Sequence, residues 1–209
     1  MGTKERDIAY IKSFGERESL SKSEKTKIKI IRSSIPFFYK KGPDKTSFTA
    51  LAQSTGITRQ LIQHYFQDIR SLFYECHRYI KWQYQQVGQE SRKGKNQKQV
   101  FTNYIQSIFN FSLANPHYMS LSHLHNYYAT IDKESFAHNN EIVQESRDRI
   151  VELIEDNFNK QKELNQAIYV IQTLIFGGVD YPHVFEVEGG ASSYHKALLK
   201  AAVAAAGFK

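Results

Sequence analysis

The sequence predicts an all-α protein. Only four prolines occur in 209 residues. Apolar residues recur at helical spacing, with little of the β-branched alternation that strands need. The breaks between apolar stripes carry glycine, proline, or a Ser, Thr or Asp able to cap the next helix.

The elements follow in order. Residues 1–23 are polar and uneven, and are expected to be flexible or a frayed helix. A first helix over about 24–41 places Ile28, Ile31, Ile35 and Phe38 on one face, with Ser23 as its cap and Gly42-Pro43 as its stop. Pro36 lies inside it and predicts a kink. Ser47 caps a second helix, about 48–54, and Gly56 suits the left-handed residue that ends it. Thr58 caps a third, about 59–65. Asp68 caps a fourth, about 69–88, whose core face is Leu72, Phe73, Cys76 and Ile80. Residues 91–98 read as a basic, solvated connection.

Val100, Phe101, Tyr104, Ile105, Ile108 and Phe109 mark a fifth helix, closed by Asn115-Pro116. A sixth runs over about 117–129 and a seventh over about 134–160. An eighth covers about 163–177. A loop from Gly177 to Gly190 follows, then a last helix over about 191–206 that stops at Gly207.

Hydrophobic residues make up 41% and charged residues 23%, as in ordinary globular proteins long enough to bury a core. The single cysteine, Cys76, excludes an internal disulfide and fits a reducing compartment. No signal-peptide run and no membrane-length apolar run occurs, so a soluble, cytoplasmic protein is expected. No Walker loop, G-x-S-x-G, H-E-x-x-H or CxxC is present, so neither an enzyme nor a cofactor is expected. His123-x-His125 lacks the three- or four-residue spacing of ligands on one helix face, and no metal site is expected.

The net charge is +7, and it is unevenly placed. Residues 1–81 hold 16 Lys+Arg against 8 Asp+Glu, while the remainder holds 12 against 13. A basic region beside a near-neutral one fits either a polyanion partner or a lysine-rich solvated face.

Residues 48–66, FTALAQSTGITRQLIQHYF, lie in the basic part. Two short helices joined at Gly56 form a helix-turn-helix, or else a plain αα-corner. In the DNA-binding version the second helix lies in the major groove. Here that helix offers Arg59, Gln60, Gln63 and His64 as polar groups, with Ile62 and Phe66 inward. Arg can read guanine and Gln adenine through paired hydrogen bonds.

Residues 30–38, Gly42 and 47–72 resemble the N-terminal domain of TetR-type transcriptional regulators. The matching features are IIRSSIPFFYKKG, the Leu51-Ala52 pair, Gly56-Ile57-Thr58, the helix ending in Phe66, and the step from Asp68 to Leu72. The resemblance implies a three-helix DNA-binding domain over about 24–68 and a larger effector-binding and dimerisation domain over 69–209. It implies a homodimeric, ligand-responsive regulator, most simply a repressor, on a near-palindromic double-stranded operator. The other reading is a helical small-molecule-binding protein or enzyme on the same fold.

By the resemblance Thr46, Ser47 and Thr58 meet phosphates, and Arg59, Gln60, Leu61 and His64 face bases. Gln63 stands where the family usually has a phosphate-contacting tyrosine. Ile69 stands where it often has a lysine, and Arg70 supplies the charge instead. The aromatic-rich middle helices imply a small-molecule effector pocket, with Phe73, Tyr104, Phe109, His123 and Tyr127 as lining candidates and plain core as the alternative. The last two helices imply the dimer interface, with Ile168, Ile171, Gln172, Ile175, Leu198 and Ala202 as candidates. The eighth is apolar nearly all round and so needs cover on every side.

Overall fold

The computed structural model describes residues 20–184 and 186–208. The described residues form α1 (Lys22–Lys41), α2 (Phe48–Thr55), α3 (Arg59–Tyr65), α4 (Ile69–Glu90), α5 (Gln97–Ala114), α6 (Pro116–Ala129), α7 (Lys133–Ile154), α8 (Gln161–Val184) and α9 (Gly190–Ala205). No strand occurs among them. The expected frayed segment lies outside the described residues up to position 19.

Local chemistry sets most boundaries. Ser21, rather than Ser23, caps α1 through a reciprocal capping box with Glu24. The Ser23 hydroxyl instead lies 3.1 Å from the Tyr65 hydroxyl of α3. The helix runs on through Pro36, which sits on its exposed side. Ser47 accepts from the Ala50 amide, Thr58 from the Leu61 amide and Asp68 from the Ser71 amide, so the three expected caps form. Gly56 is left-handed, at φ 68°. Asn96 caps α5, starting it three residues before Val100.

Tertiary contacts move two boundaries. The seventh helix stops at Ile154, not near 160, and gives way to a 3₁₀ turn over Glu155–Asn157. There the Asn157 amide group donates to the Ala206 carbonyl at 2.8 Å, pinning the turn to the end of α9. The loop expected from Gly177 is instead helical to Val184. Gly178 serves close packing rather than a break. A Cβ at Gly178 would lie 2.2 Å from the Phe109 ring, and the Gly178 carbonyl lies 2.7 Å from His195 Nε2 of α9.

One apolar core runs from α1–α3 into the body, with α1 packed on both α4 and α6. Ile30, Ile31, Phe38, Leu51, Ile62, Leu72 and Phe73 are essentially inaccessible. Cys76 belongs to this core; burial pushes its thiol well up, so it is inert. No helix of the described residues is long and apolar enough to cross a membrane.

Candidate nucleic-acid interface

Helix α3 is two turns long and holds one face inward through Ile62, with Ile57 and Phe66 buried at its two ends. Its outer face presents Arg59, Gln60, Leu61, Gln63 and His64, all exposed. Leu61 is an apolar residue on this otherwise polar row, 38% exposed with no core contact forcing it outward. Arg59 Nε donates to Gln63 Oε1 at 3.1 Å, and its Nη1 lies 3.4 Å from the Thr49 hydroxyl on α2. The guanidinium is thereby aimed across the two helices, at the exchange of one weak surface bond for any better acceptor.

Ser47 and Thr58 are exposed at the N-termini of α2 and α3, where unsatisfied amides and the helix dipole favour anions. Thr46 is half-buried and donates to the Gly42 carbonyl at 2.6 Å, so its hydroxyl holds the α1–α2 turn. Lys22, Lys25, Lys29, Lys40, Lys41 and Lys45 are exposed on α1 and the following turn. The charge excess of the N-terminal part therefore sits on the domain that carries α3.

Arg70 stands apart from this surface. It pairs with Asp132 at 3.3 Å and covers the Tyr128 ring at 5.4 Å. Asp132 is also the cap of α7, and the hydroxyl and amide of Ser135 hold its carboxyl below the ordinary range. Tyr128 of α6 donates to Asp44 in the α1–α2 turn, and burial with that carboxylate pushes its phenol up to about 12. Tyr74 of α4 lies 3.0 Å from Ser135 of α7. Tyr128–Asp44 ties the α1–α2 turn to α6, while Arg70–Asp132 and Tyr74–Ser135 tie α4 to the start of α7.

The five pocket candidates scatter. Phe73 and Phe109 are core. Phe109 stacks on His195 at 4.4 Å. Tyr104 lines a small cavity of about 40 Å³, room for roughly one water. His123 Nε2 lies 2.8 Å from Asp180 Oδ1, and Tyr127 is 59% exposed. Two larger cavities, about 420 and 370 Å³, flank the α4–α7 seam instead, with many charged side chains in their walls. Arg78 and His138 line both, with Lys81, Glu141, Glu145 and Arg149 in the first.

The interface candidates on α8 and α9 are mostly turned into the chain. Ile168, Ile171, Ile175 and Ala202 are buried inside the chain, Gln172 is bonded to the Val143 carbonyl, and Leu198 is half-buried. The open side of α8 carries Tyr169, Val170, Phe176 and Tyr181. Nothing in the residue pattern distinguishes the two faces of α8, because both are apolar.

Sequence reasoning missed one cluster altogether. His77 of α4, His125 of α6 and His138 of α7 meet, with ligand nitrogens all within 4.8 Å of one another. His77 and His125 are fully buried and stacked at 3.7 Å. Burial pushes both rings well toward the neutral form, His125 down to about 3. Their four nitrogens and His138 Nε2 have no hydrogen-bond partner. Histidines 48 and 13 positions apart carry no common spacing that a sequence could reveal.

Comparison with known proteins bears on the whole arrangement. Residues 30–76 match the family model described as bacterial regulatory proteins, tetR family. No curated protein matches. Among solved structures, a TetR-family regulator from Cytophaga hutchinsonii is similar at 17% identity and TM-score 0.71, over 90% of this chain and 96% of that one. A structure described as a putative transcriptional regulator from Pseudomonas aeruginosa PAO1 aligns at 13% identity and TM-score 0.72, over 88% and 93%. The fold is shared more widely: the structure of superantigen PfiT aligns at 12% identity and TM-score 0.66, over 88% and 97%. Residues 30–76 thus carry a TetR-type helix-turn-helix domain, and the chain has the fold of TetR-family regulators.

Proposed function

We propose that the protein is a DNA-binding transcriptional regulator, a ligand-responsive repressor that binds a near-palindromic operator as a homodimer. The observation that carries this reading is the exposed polar row Arg59-Gln60-Gln63-His64 on a capped helix, standing on a basic domain. Gln60 and Gln63 are the base readers, through the paired acceptor and donor of adenine's major-groove edge. The hydroxyls of Ser47 and Thr58 and the adjoining helix N-termini fix the backbone register. Leu61 is placed for a thymine methyl.

The dimer forms through the outer side of α8, with Tyr169, Val170, Phe176 and Tyr181, and the exposed small side of α9, with Ala197, Ala201 and Ala204. Two α3 helices must then lie about 34–36 Å apart to meet successive major grooves. The effector enters the polar seam between α4 and α7. Helix α4 begins three residues after Phe66, Tyr128–Asp44 binds the head to α6, and Arg70–Asp132 binds the start of α4 to α7. A ligand that prefers one setting of α4 shifts the spacing of the two heads by its difference in affinity alone. No catalytic role is assigned to any residue, and the working compartment is the cytoplasm.

The test is a gel shift of the full chain on DNA flanking its own gene and on selected random duplexes, across a salt series. Tight binding to one sequence, falling steeply with salt, is expected. Loss of all binding at low salt on every duplex overturns the reading.

A further inference from the structure

We propose that His77, His125 and His138 are the protein ligands of a transition-metal site of the imidazole-preferring class, for which Zn²⁺ is the best match. Three helices that are distant in sequence converge to place three imidazoles together, and the same helices bury His77 and His125 and half-bury His138. A buried polar nitrogen without a partner costs about 1–3 kcal/mol. Five such atoms at one point are hard to account for as packing alone. A cation bound by lone pairs from the three rings converts that cost into coordination.

The donor set chooses the ion. Three imidazoles and no carboxylate in the cluster disfavour Mg²⁺ and Ca²⁺, which take oxygen ligands, and suit Zn²⁺, Co²⁺ or Ni²⁺. The rings are neutral, as ligands must be. Zn–N bonds of about 2.0–2.1 Å in a tetrahedron put nitrogens about 3.3 Å apart. The cluster, within 4.8 Å now, closes by about an ångström or more once the stacked His77 and His125 rings splay apart. His138 borders both larger cavities, which gives the ion a path inward and leaves a fourth position for water or an external ligand. Lys81 and Arg78 oppose a dication, while Glu141, Glu75 and Glu145 near His138 favour one. The unpartnered outer nitrogens deprive the site of the outer-shell bonds that sharpen affinity, which suits an exchangeable ion more than a permanent one.

The site joins α4, α6 and α7, so it sits across the links to the DNA-reading head. Any effect of the ion on DNA rests on the regulatory reading; binding of the ion does not. The test uses the tag-free, chelator-stripped full chain without DNA, titrated with Zn²⁺ by calorimetry and with Co²⁺ by visible absorption. One ion per chain is expected, with tetrahedral Co²⁺ bands and no response to Mg²⁺. His138→Ala, at a half-exposed position, and His125→Leu, which fills its own space, should each weaken binding by more than about 10-fold. His117→Ala, outside the cluster, should leave it unchanged. Circular dichroism confirms that the variants fold. Absence of a stoichiometric Co²⁺ or Zn²⁺ signal, or an equal signal in His138→Ala and His125→Leu, overturns the proposal.

Discussion

The helix-turn-helix head and the histidine cluster are built in opposite ways. In the head, every polar group near the core belongs to a local device. Ser47 and Thr58 each bond an amide three residues on, and Gly56 turns the chain between them. Beneath these the interior is apolar apart from Ser34, whose hydroxyl donates to the Ile30 carbonyl one turn back, and Leu51 and Ile62 are inaccessible. In the body, two polar rings sit inside the core and a third at its edge, with five unpartnered nitrogens among them. The first arrangement is what stability alone selects; the second gives stability away. A group that is costly to bury, and is buried regardless, points to a role beyond packing.

Breaking the head's core should produce the largest effect. Ile62→Ala removes a fully buried side chain from a short helix with little else to hold it. A loss of about 2–5 kcal/mol is expected by denaturant titration. A loss below about 1 kcal/mol would show that α3 is held from elsewhere.

Acid should act on the body and spare the head. The His125 pKa falls from 6.5 to about 3 on folding, through burial, so the unfolded chain binds more protons between those values. Stability is therefore whole above about pH 6.5 and declines as pH falls toward 3. At pH 5 the loss is about 2 kcal/mol from His125 alone, with His77 and His138 acting in the same direction. Metal-free protein unfolded at pH 7 and pH 5 measures it, and equal stabilities would refute the burial of neutral rings.

His125→Leu sharpens the contrast, because it should stabilise. Removing two orphaned nitrogens while keeping an apolar filling is expected to raise metal-free stability at pH 7 by about 1–2 kcal/mol and to flatten the acid dependence. A destabilised variant would mean that the ring already has a partner.

Cap removal ranks next. Thr58→Ala should cost about 1 kcal/mol in thermal unfolding and also weaken DNA binding. The smallest stability effect belongs to Gln60→Ala with Gln63→Ala. These exposed substitutions should stay within about 0.5 kcal/mol of the parent, yet abolish preference for the operator over random duplex. Unchanged preference would place base reading elsewhere.

The sequence by itself determined the all-α class, the boundaries of α2, α3 and the start of α4, and the row of polar side chains on α3. Each rests on residues within a turn of one another, so spacing and capping chemistry suffice. Tertiary structure alone decided that Gly177-Gly178 continues a helix, because the need for a small residue there comes from Phe109, far away in sequence. It decided which side of α8 is left open, since an evenly apolar helix carries no directional mark. It turned Arg70 toward Asp132 and away from the exposed face of α3. And it brought His77, His125 and His138 together, through a packing of three helices that no short-range pattern encodes.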